Sequence, residues 1–235
     1  MHGSIRLHVA APLAAEAIVD VTPAQAHYLG AVMRRGAGDM LRLFNGREGE
    51  WEARIVALKR ERGQLVAVRR LRPQRDDEAL WLVFVPLKRD ATELVVQKAT
   101  ELGVAALLPA LTERGNVPRL NIDRLRAIAV EAAEQSERLT VPEIGEPQRL
   151  AALLGAWPGD RPLIAAIERA AAPRLRPTHK PAGLLIGPEG GFSPGELDEL
   201  ARHAFVRPVS LGPRILRAET AAIVGLALLQ APVTG

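Results

Sequence analysis

"LLIGPEGGFSPGEL", Leu184 to Leu197, packs a strand, a turn and a helix start into one short stretch. Leu184 to Ile186 is an uninterrupted apolar run, as in a strand buried on both faces. Gly187-Pro188 breaks the run, and Gly190-Gly191 carries the chain through a turn. Ser193, Pro194 and Glu196 then make a capped helix start, with serine as N-cap, proline at N1 and glutamate at N3. A buried strand that runs into a helix is part of a βαβ unit, so the stretch predicts an α/β fold around a mainly parallel sheet.

The rest of the second part of the chain keeps to this pattern. "LWLVFVP" (80–86), "VAALLPAL" (104–111), "RPLIAAI" (161–167) and "VRPVSLG" (206–212) read as further strands. "DATELVVQKATELG" reads as a helix capped at Asp90 and stopped by Gly103, and a second helix is expected from about Asn121 to Arg138. "AETAAIVGLALLQ" closes the chain with a helix uncharged from Ala221 to Leu229, which implies full burial or a subunit interface.

The first seventy residues have strand periodicity instead. "IRLHV" alternates, Asn45-Gly46 separates two alternating runs in "MLRLFNGREGEWEARIVAL", and "QLVAVRRL" adds another strand, which together suit a small β-barrel. Thr22 and Pro23 predict a short helix running to about Arg34. The polar "RPQRDDEA" marks the boundary, giving a β-barrel domain over 1–72, a linker over 73–79 and an α/β domain over 80–235. Its acidic triplet Asp76, Asp77, Glu78 reads as linker rather than metal site.

Composition narrows the function classes. A chain of 235 residues, 48% hydrophobic, buries a substantial core. It has no cysteine, which excludes disulfides, thiolate zinc sites and cysteine nucleophiles. Its apolar runs fall short of the roughly 20 residues that span a bilayer, and Pro12 and Glu16 interrupt any secretory leader, so a cytoplasmic protein is expected. Residues 1–75 carry 13 Lys+Arg against 7 Asp+Glu, while the remainder carries 18 against 20. The basic first third suits a polyanionic partner, and suits a solvated basic surface equally. Arg6, Arg34, Arg35 and Arg47 are the candidate phosphate contacts on charge and position, and Tyr28, Phe44 and Trp51 offer limited stacking surface.

In a parallel sheet, ligands sit beyond the carboxyl ends of the strands, where Gly187-Pro188 falls. The loop lacks both Gly-x-x-x-x-Gly-Lys-Ser/Thr and Gly-x-Gly-x-x-Gly spacing, and its self-capped helix leaves few N–H donors for a phosphate. A second Gly-Pro pair, Gly212-Pro213, follows another apolar strand. Two such turns expose main chain to a flat polar heterocycle such as adenine, or are ordinary turns with no ligand. Glu189, Arg214 and Arg217 are the charged groups beside these loops, with chemistry or plain ion pairing as their alternative roles. Histidines stand scattered at 2, 8, 27, 179 and 203, and no metal site is expected.

"LLIGPEGGFSPGEL" with "LGPRILRAETAA" closely resembles the C-terminal motifs of the SPOUT class of RNA methyltransferases, specifically the bacterial 16S rRNA (uridine-N3) methyltransferase family. "AHYL", "FNGREGEW", "VVQKATELGV", "LTERG" and "EAAEQSER" extend the resemblance along almost the whole chain. It implies a PUA-like β-barrel for RNA binding and an α/β domain threaded into a deep trefoil knot, which periodicity alone does not suggest. It further implies S-adenosylmethionine as cofactor, a homodimer, and a uridine near the decoding region of the 30S subunit as target. Carried over by motif, the cofactor pocket comprises Ala166, Ile167 and Glu168; Ile186, Gly187, Pro188, Gly190 and Gly191; and Leu211, Gly212, Ile215 and Leu216. Arg217, then Arg214, are the expected stabilisers of charge on the uracil, with Glu189 orienting the loop or accepting a proton. A non-catalytic RNA-binding protein with the same fold is the alternative.

Overall fold

The computed structural model describes residues 5–75, 80–115, 119–167, 172–178 and 181–231. The chain forms two compact units: Met1–Asp76 with Ala133–Val141, and Asp77–Ala132 with Pro142–Gly235.

The first unit holds β1 (Arg6–His8), β2 (Ile18–Val21), β3 (Met40–Phe44), β4 (Glu50–Lys59) and β5 (Arg62–Arg72) in the order β1-β3-β4-β5-β2. Only β1 and β3 pair parallel. Three register shifts between β4 and β5 bend the longest ladder around a core of Leu7, Val19, Leu41, Leu43, Ile55 and Leu65. Ala26 of α1 (Pro23–His27) and Leu29 of the π-helical turn Tyr28–Val32 join the same core. Thr22 caps α1 through a full capping box with Gln25.

Two local expectations change in detail. The predicted helix stops short of Arg34, because Arg34 turns to φ +52° and the Arg35 N–H bonds back to the Leu29 carbonyl at 2.8 Å, a left-handed helix end. The β3–β4 hairpin loop spans Asn45–Gly49: the Asn45 Oδ1 accepts the N–H groups of Arg47 and Glu48, both at 3.1 Å, and Gly46 and Gly49 take positive φ.

The second unit contains β6 (Leu80–Phe84), α2 (Arg89–Glu101), β7 (Ala106–Leu111), most of α3 (Ile122–Gln135), β8 (Glu143–Ile144), β9 (Gln148–Arg149) and α4 (Leu150–Gly155). It continues with β10 (Leu163–Ala166), β11 (Ala182–Ile186), α5 (Pro194–Arg202), β12 (Val206–Val209) and α6 (Ala218–Leu229). Every strand pair is parallel, in the order β12-β10-β11-β6-β7-β8 with β9 also on β7. The parallel α/β sheet therefore stands as expected. Between β11 and β12 the chain crosses over β10 to reach the sheet edge.

α2 begins at Arg89 with Lys88 as N-cap, not at Asp90; the Thr92 hydroxyl fixes this start by donating to the Leu87 carbonyl at 3.0 Å and accepting the Leu87 N–H at 2.9 Å. Asp90 falls in the first turn, where its charge complements the helix dipole. α6 is buried along Ala218, Ala222, Gly225, Leu226 and Leu229, while Ala227 and Leu228 are exposed, so full burial gives way to a one-sided helix. No helix among the described residues is long and apolar enough to cross a membrane.

Candidate active site at the level ends of three strands

β10, β11 and β12 end in register. Ala166 pairs with Ile186 on one side and Val209 on the other, so the loops that follow leave the sheet at one level. Two cavities open there, about 390 and 250 Å³, sharing Ala166, Ile167, Leu216 and Ala221 as walls. The larger is closed by Ile186–Phe192, the smaller by Val209–Ile215.

Local chemistry shapes both loops. In the first, the Gly191 N–H donates to the Pro188 carbonyl at 2.9 Å and Gly191 takes φ +68°, a backbone that side-chain-bearing residues adopt at a cost. Ser193 then caps α5 as expected: its Oγ accepts the Glu196 N–H at 3.2 Å, and its own N–H donates to the Glu196 Oε2 at 2.8 Å. In the second loop the Ser210 hydroxyl accepts the Gly212 N–H at 3.2 Å, and Gly212 stands at φ +134°.

The residues selected from the sequence distribute plainly. Ala166, Ile167, Ile186, Gly187, Pro188, Gly190, Gly191 and Leu216 line the larger cavity, and Leu211, Gly212 and Ile215 the smaller. Glu168 lies outside the described residues. Glu189 is exposed on the rim of the larger cavity and Arg214 on that of the smaller. Arg217 is exposed at the N-cap of α6, between the wall residues Leu216 and Ala218, but is not itself on either wall. No ion pair joins any of the three to another described residue.

The end of β7 braces the first loop, a feature missed in the sequence. The Glu113 N–H donates to the Glu196 Oε1 at 2.9 Å, and Arg114 donates to the carbonyls of Gly190 and Phe192 at 3.2 and 3.3 Å. The available signal was the position of "LTERG" directly after a strand, at the same edge of the sheet. Glu219, in the first turn of α6, was also passed over; its Oε2 is buried without a hydrogen-bond partner.

Among the candidate phosphate contacts, Arg6 requires correction. Its side chain is 3% exposed, its Nε meets the Glu50 Oε1 at 2.6 Å, and its remaining bonds go to the carbonyls of Ala133, Glu134 and Arg138. It lies 4.5 Å over the Phe44 ring and has no free edge for a phosphate. Phe44 is fully buried and offers no stacking face to RNA. Burial would raise the Glu50 carboxyl, but hydrogen bonds and charge from Arg72 and Arg6 outweigh it and hold the group below its ordinary range. Arg34 is exposed, Arg35 is half-buried with an unpartnered Nε, and Arg47 is exposed while donating to the Ala10 carbonyl at 2.9 Å. Burial, then the charge of Arg47, lowers the pKa of His8, which favours its neutral form.

Comparison with known proteins agrees with this architecture. Residues 74–230 match the family model of the RNA methyltransferase domain, and residues 21–68 that of the RNA methyltransferase PUA domain. The fold is thus that of a PUA-containing RNA methyltransferase. The ribosomal RNA small subunit methyltransferase E of Rickettsia conorii is 34% identical over 205 residues, 86% of this chain and 84% of the relative. A methyltransferase from Legionella pneumophila, solved in complex with the bound cofactor SAM, superposes with a TM-score of 0.87 at 30% identity over 97% of both chains. The methyltransferase E of Neisseria gonorrhoeae, bound to S-adenosyl methionine, gives 0.85 at 27% identity over 96% of both. The chain belongs to the ribosomal RNA small subunit methyltransferase E family.

Proposed function

We propose that the protein methylates N3 of a uridine in 16S rRNA with S-adenosylmethionine as donor. Family membership supports the rRNA substrate. The observation that carries the cofactor assignment is the level ending of β10, β11 and β12, around which the expected residues line two cavities with shared wall residues. Two similar structures hold this cofactor.

The residues fit such a ligand. Ile167, Ile186, Leu211 and Leu216 give apolar walls for a flat ring, while main chain at Gly187–Gly191 and Leu211–Gly212 faces its polar edge. Glu189 places a carboxylate beside a cationic ligand. When bound, S-adenosylmethionine supplies a methyl group made electrophilic by its sulfonium.

The chain's own groups position and polarise the acceptor. Uracil N3 lies on the Watson–Crick edge, so the target enters unpaired or turned out of its stack. As N3 loses its proton, Arg217, with Arg214 as second choice, stabilises the charge that spreads onto the uracil carbonyl oxygens. Glu189 orients its loop or accepts the proton. Arg34, Arg35 and Arg47 hold RNA phosphates, and Tyr28 and Trp51 provide stacking surface.

The exposed apolar residues of α6 support a homodimer, and the family resemblance supports a trefoil knot. The family resemblance supports a target near the decoding region of an assembled 30S subunit in the cytoplasm. Incubating assembled 30S particles and naked 16S rRNA with labelled S-adenosylmethionine, then mapping products by mass spectrometry, tests the proposal. A single 3-methyluridine is expected, made faster on the particle; absence of methyl transfer to either substrate overturns it.

A further inference from the structure

Beside the two cavities at the cofactor loops, the second unit carries a further cavity of different character. It measures about 310 Å³ and lies between the segment that follows β6, the start of α2 and the start of α3. Its charged walls are Arg89, Arg119, Arg124 and Glu93, three guanidiniums against one carboxylate.

Two of the arginine walls are fixed by local structure. Arg89 opens α2, whose start the Thr92 hydroxyl locks, and Arg124 stands in the first turn of α3, where Asn121 Oδ1 accepts the Arg124 N–H at 3.0 Å. Glu93 lies between them, 3.0 Å from Arg89 and 3.1 Å from Arg124, and holds both side chains over the cavity. Hydrogen bonds from Arg124 and then Arg89 keep the Glu93 carboxyl below its ordinary range, so it stays ionised in this role. Arg119 is exposed and has no carboxylate against it among the described residues. The flanking Lys88 and Asp90 offset each other, as do Asp123 and Arg126, paired at 3.2 Å; Glu131 acts on Arg124 from further along α3, and the lining itself keeps three guanidiniums against one carboxylate. No side chain caps α2, so its first N–H groups add to the positive potential. Leu87 and Leu125 form a buried apolar floor.

We infer that this cavity grips a phosphate of the RNA substrate, within the catalytic domain and apart from the PUA domain. Fork-shaped guanidiniums match phosphate oxygens, and a floor of leucine accepts the sugar edge. The position fits: β6 pairs with β11, and Leu87 of the cavity follows β6 as Gly187 follows β11, so cavity and cofactor loop stand at the same end of the sheet. A single strand leaving the methylation site passes over it within its first few nucleotides. The inference rests on the RNA-methyltransferase reading of the site and adds to it the track of the bound strand.

The test uses the full-length protein with 16S rRNA and with assembled 30S particles. Arg119→Ala, Arg124→Ala and the charge reversal Arg119→Glu are compared with wild type for RNA affinity across salt concentrations, KM and kcat for methyl transfer, and S-adenosylmethionine affinity by calorimetry. Each alanine variant is expected to weaken RNA binding about tenfold and to reduce the slope of log affinity against log salt by about one. Arg119→Glu weakens binding further, KM for RNA rises while kcat changes little, and cofactor affinity stays at the wild-type value, which certifies the fold. Wild-type RNA affinity and salt slope in Arg119→Glu overturn the inference and leave the methyltransferase reading standing. Failure of the wild-type protein to bind or methylate RNA overturns both.

Discussion

The backbone N–H of Glu113 donates to the side-chain carboxylate of Glu196 at 2.9 Å, linking the end of β7 to the capping box of α5. The other oxygen of that carboxylate accepts the Ser193 N–H at 2.8 Å. One side chain thus caps the start of a helix and ties that start to the end of β7.

Removing Ser193 and removing Glu196 therefore differ in outcome. Ser193→Ala loses a cap, a destabilisation of about 1 kcal/mol. Glu196→Ala loses the reciprocal cap bond and the tether to Glu113 together. Calorimetry with S-adenosylmethionine is expected to show a larger fall in affinity for Glu196→Ala; equal affinities in the two variants would show that the tether does not shape the pocket.

Gly187 leaves room for the ring of Phe192, whose Cε2 would stand 2.8 Å from an added Cβ. Gly187→Ala is expected to displace that ring and the loop around it, lowering cofactor affinity about tenfold or more, a loss of about 1.4 kcal/mol. Unchanged binding would place the cofactor elsewhere.

Arg217→Ala and Arg214→Ala separate the two candidate charge stabilisers. Loss of a preorganised donor to a developing anion costs on the order of a hundredfold in kcat, with cofactor affinity retained. Single-turnover rates on the ribosomal substrate read this directly, and the variant with the larger loss identifies the arginine at the uracil. Wild-type turnover in both would remove the electrostatic role from this loop.

In the first unit, Glu50 is 1% exposed and takes ion-pair contacts from Arg6 at 2.6 Å and Arg72 at 2.9 Å. Glu50→Ala leaves Arg6 buried without its partner and is expected to destabilise the unit by about 3 to 5 kcal/mol in urea unfolding. The pH dependence has a definite sign. Because the folded carboxyl lies below its unfolded value, the stabilisation is complete above roughly pH 4.5 and is lost as pH falls through the folded pKa. Acid titration of wild type should show this loss, and Glu50→Gln should flatten it.

Arg34→Ala with Arg35→Ala is expected to weaken RNA binding and flatten its salt dependence, whereas Arg6→Ala acts on stability. Filter binding over a salt series, beside thermal melts, distinguishes the two effects. An Arg6→Ala protein of wild-type stability with weakened RNA binding would reinstate Arg6 as a phosphate contact.

What was legible in the sequence was mostly local. The Ser193–Pro194–Glu196 cap, the Thr22–Pro23 start and the stop at Gly103 depend on neighbours within a few residues, and all three stand. The apolar runs of β6, β7, β10 and β11 were legible because parallel strands are covered on both faces. The motif residues 166–167, 186–191 and 211–216 line two neighbouring cavities because strand register brings distant loops together; the paired Gly-Pro turns pointed to two of these segments, and the family resemblance added the first. Arg6 was misread for the same reason: its partners lie 44 and up to 132 residues away, and no local pattern distinguishes a buried arginine from a surface one. The return of Ala133–Val141 to the first unit likewise left no periodic trace, since it depends on carbonyl acceptors that every residue carries.

The pairing of Ala166 with both Ile186 and Val209 also bears on how the chain tolerates changes of length. One residue inserted within β10, β11 or β12 would push one wall of the pocket outward by roughly 3.3 Å and turn its last side chain to the opposite face of the sheet. A residue added to the exposed end of α5, at Arg202, moves neither wall. Attachment points for tags or fused partners therefore belong at that helix end, and loop redesign aimed at a different methyl donor should hold the strand lengths fixed.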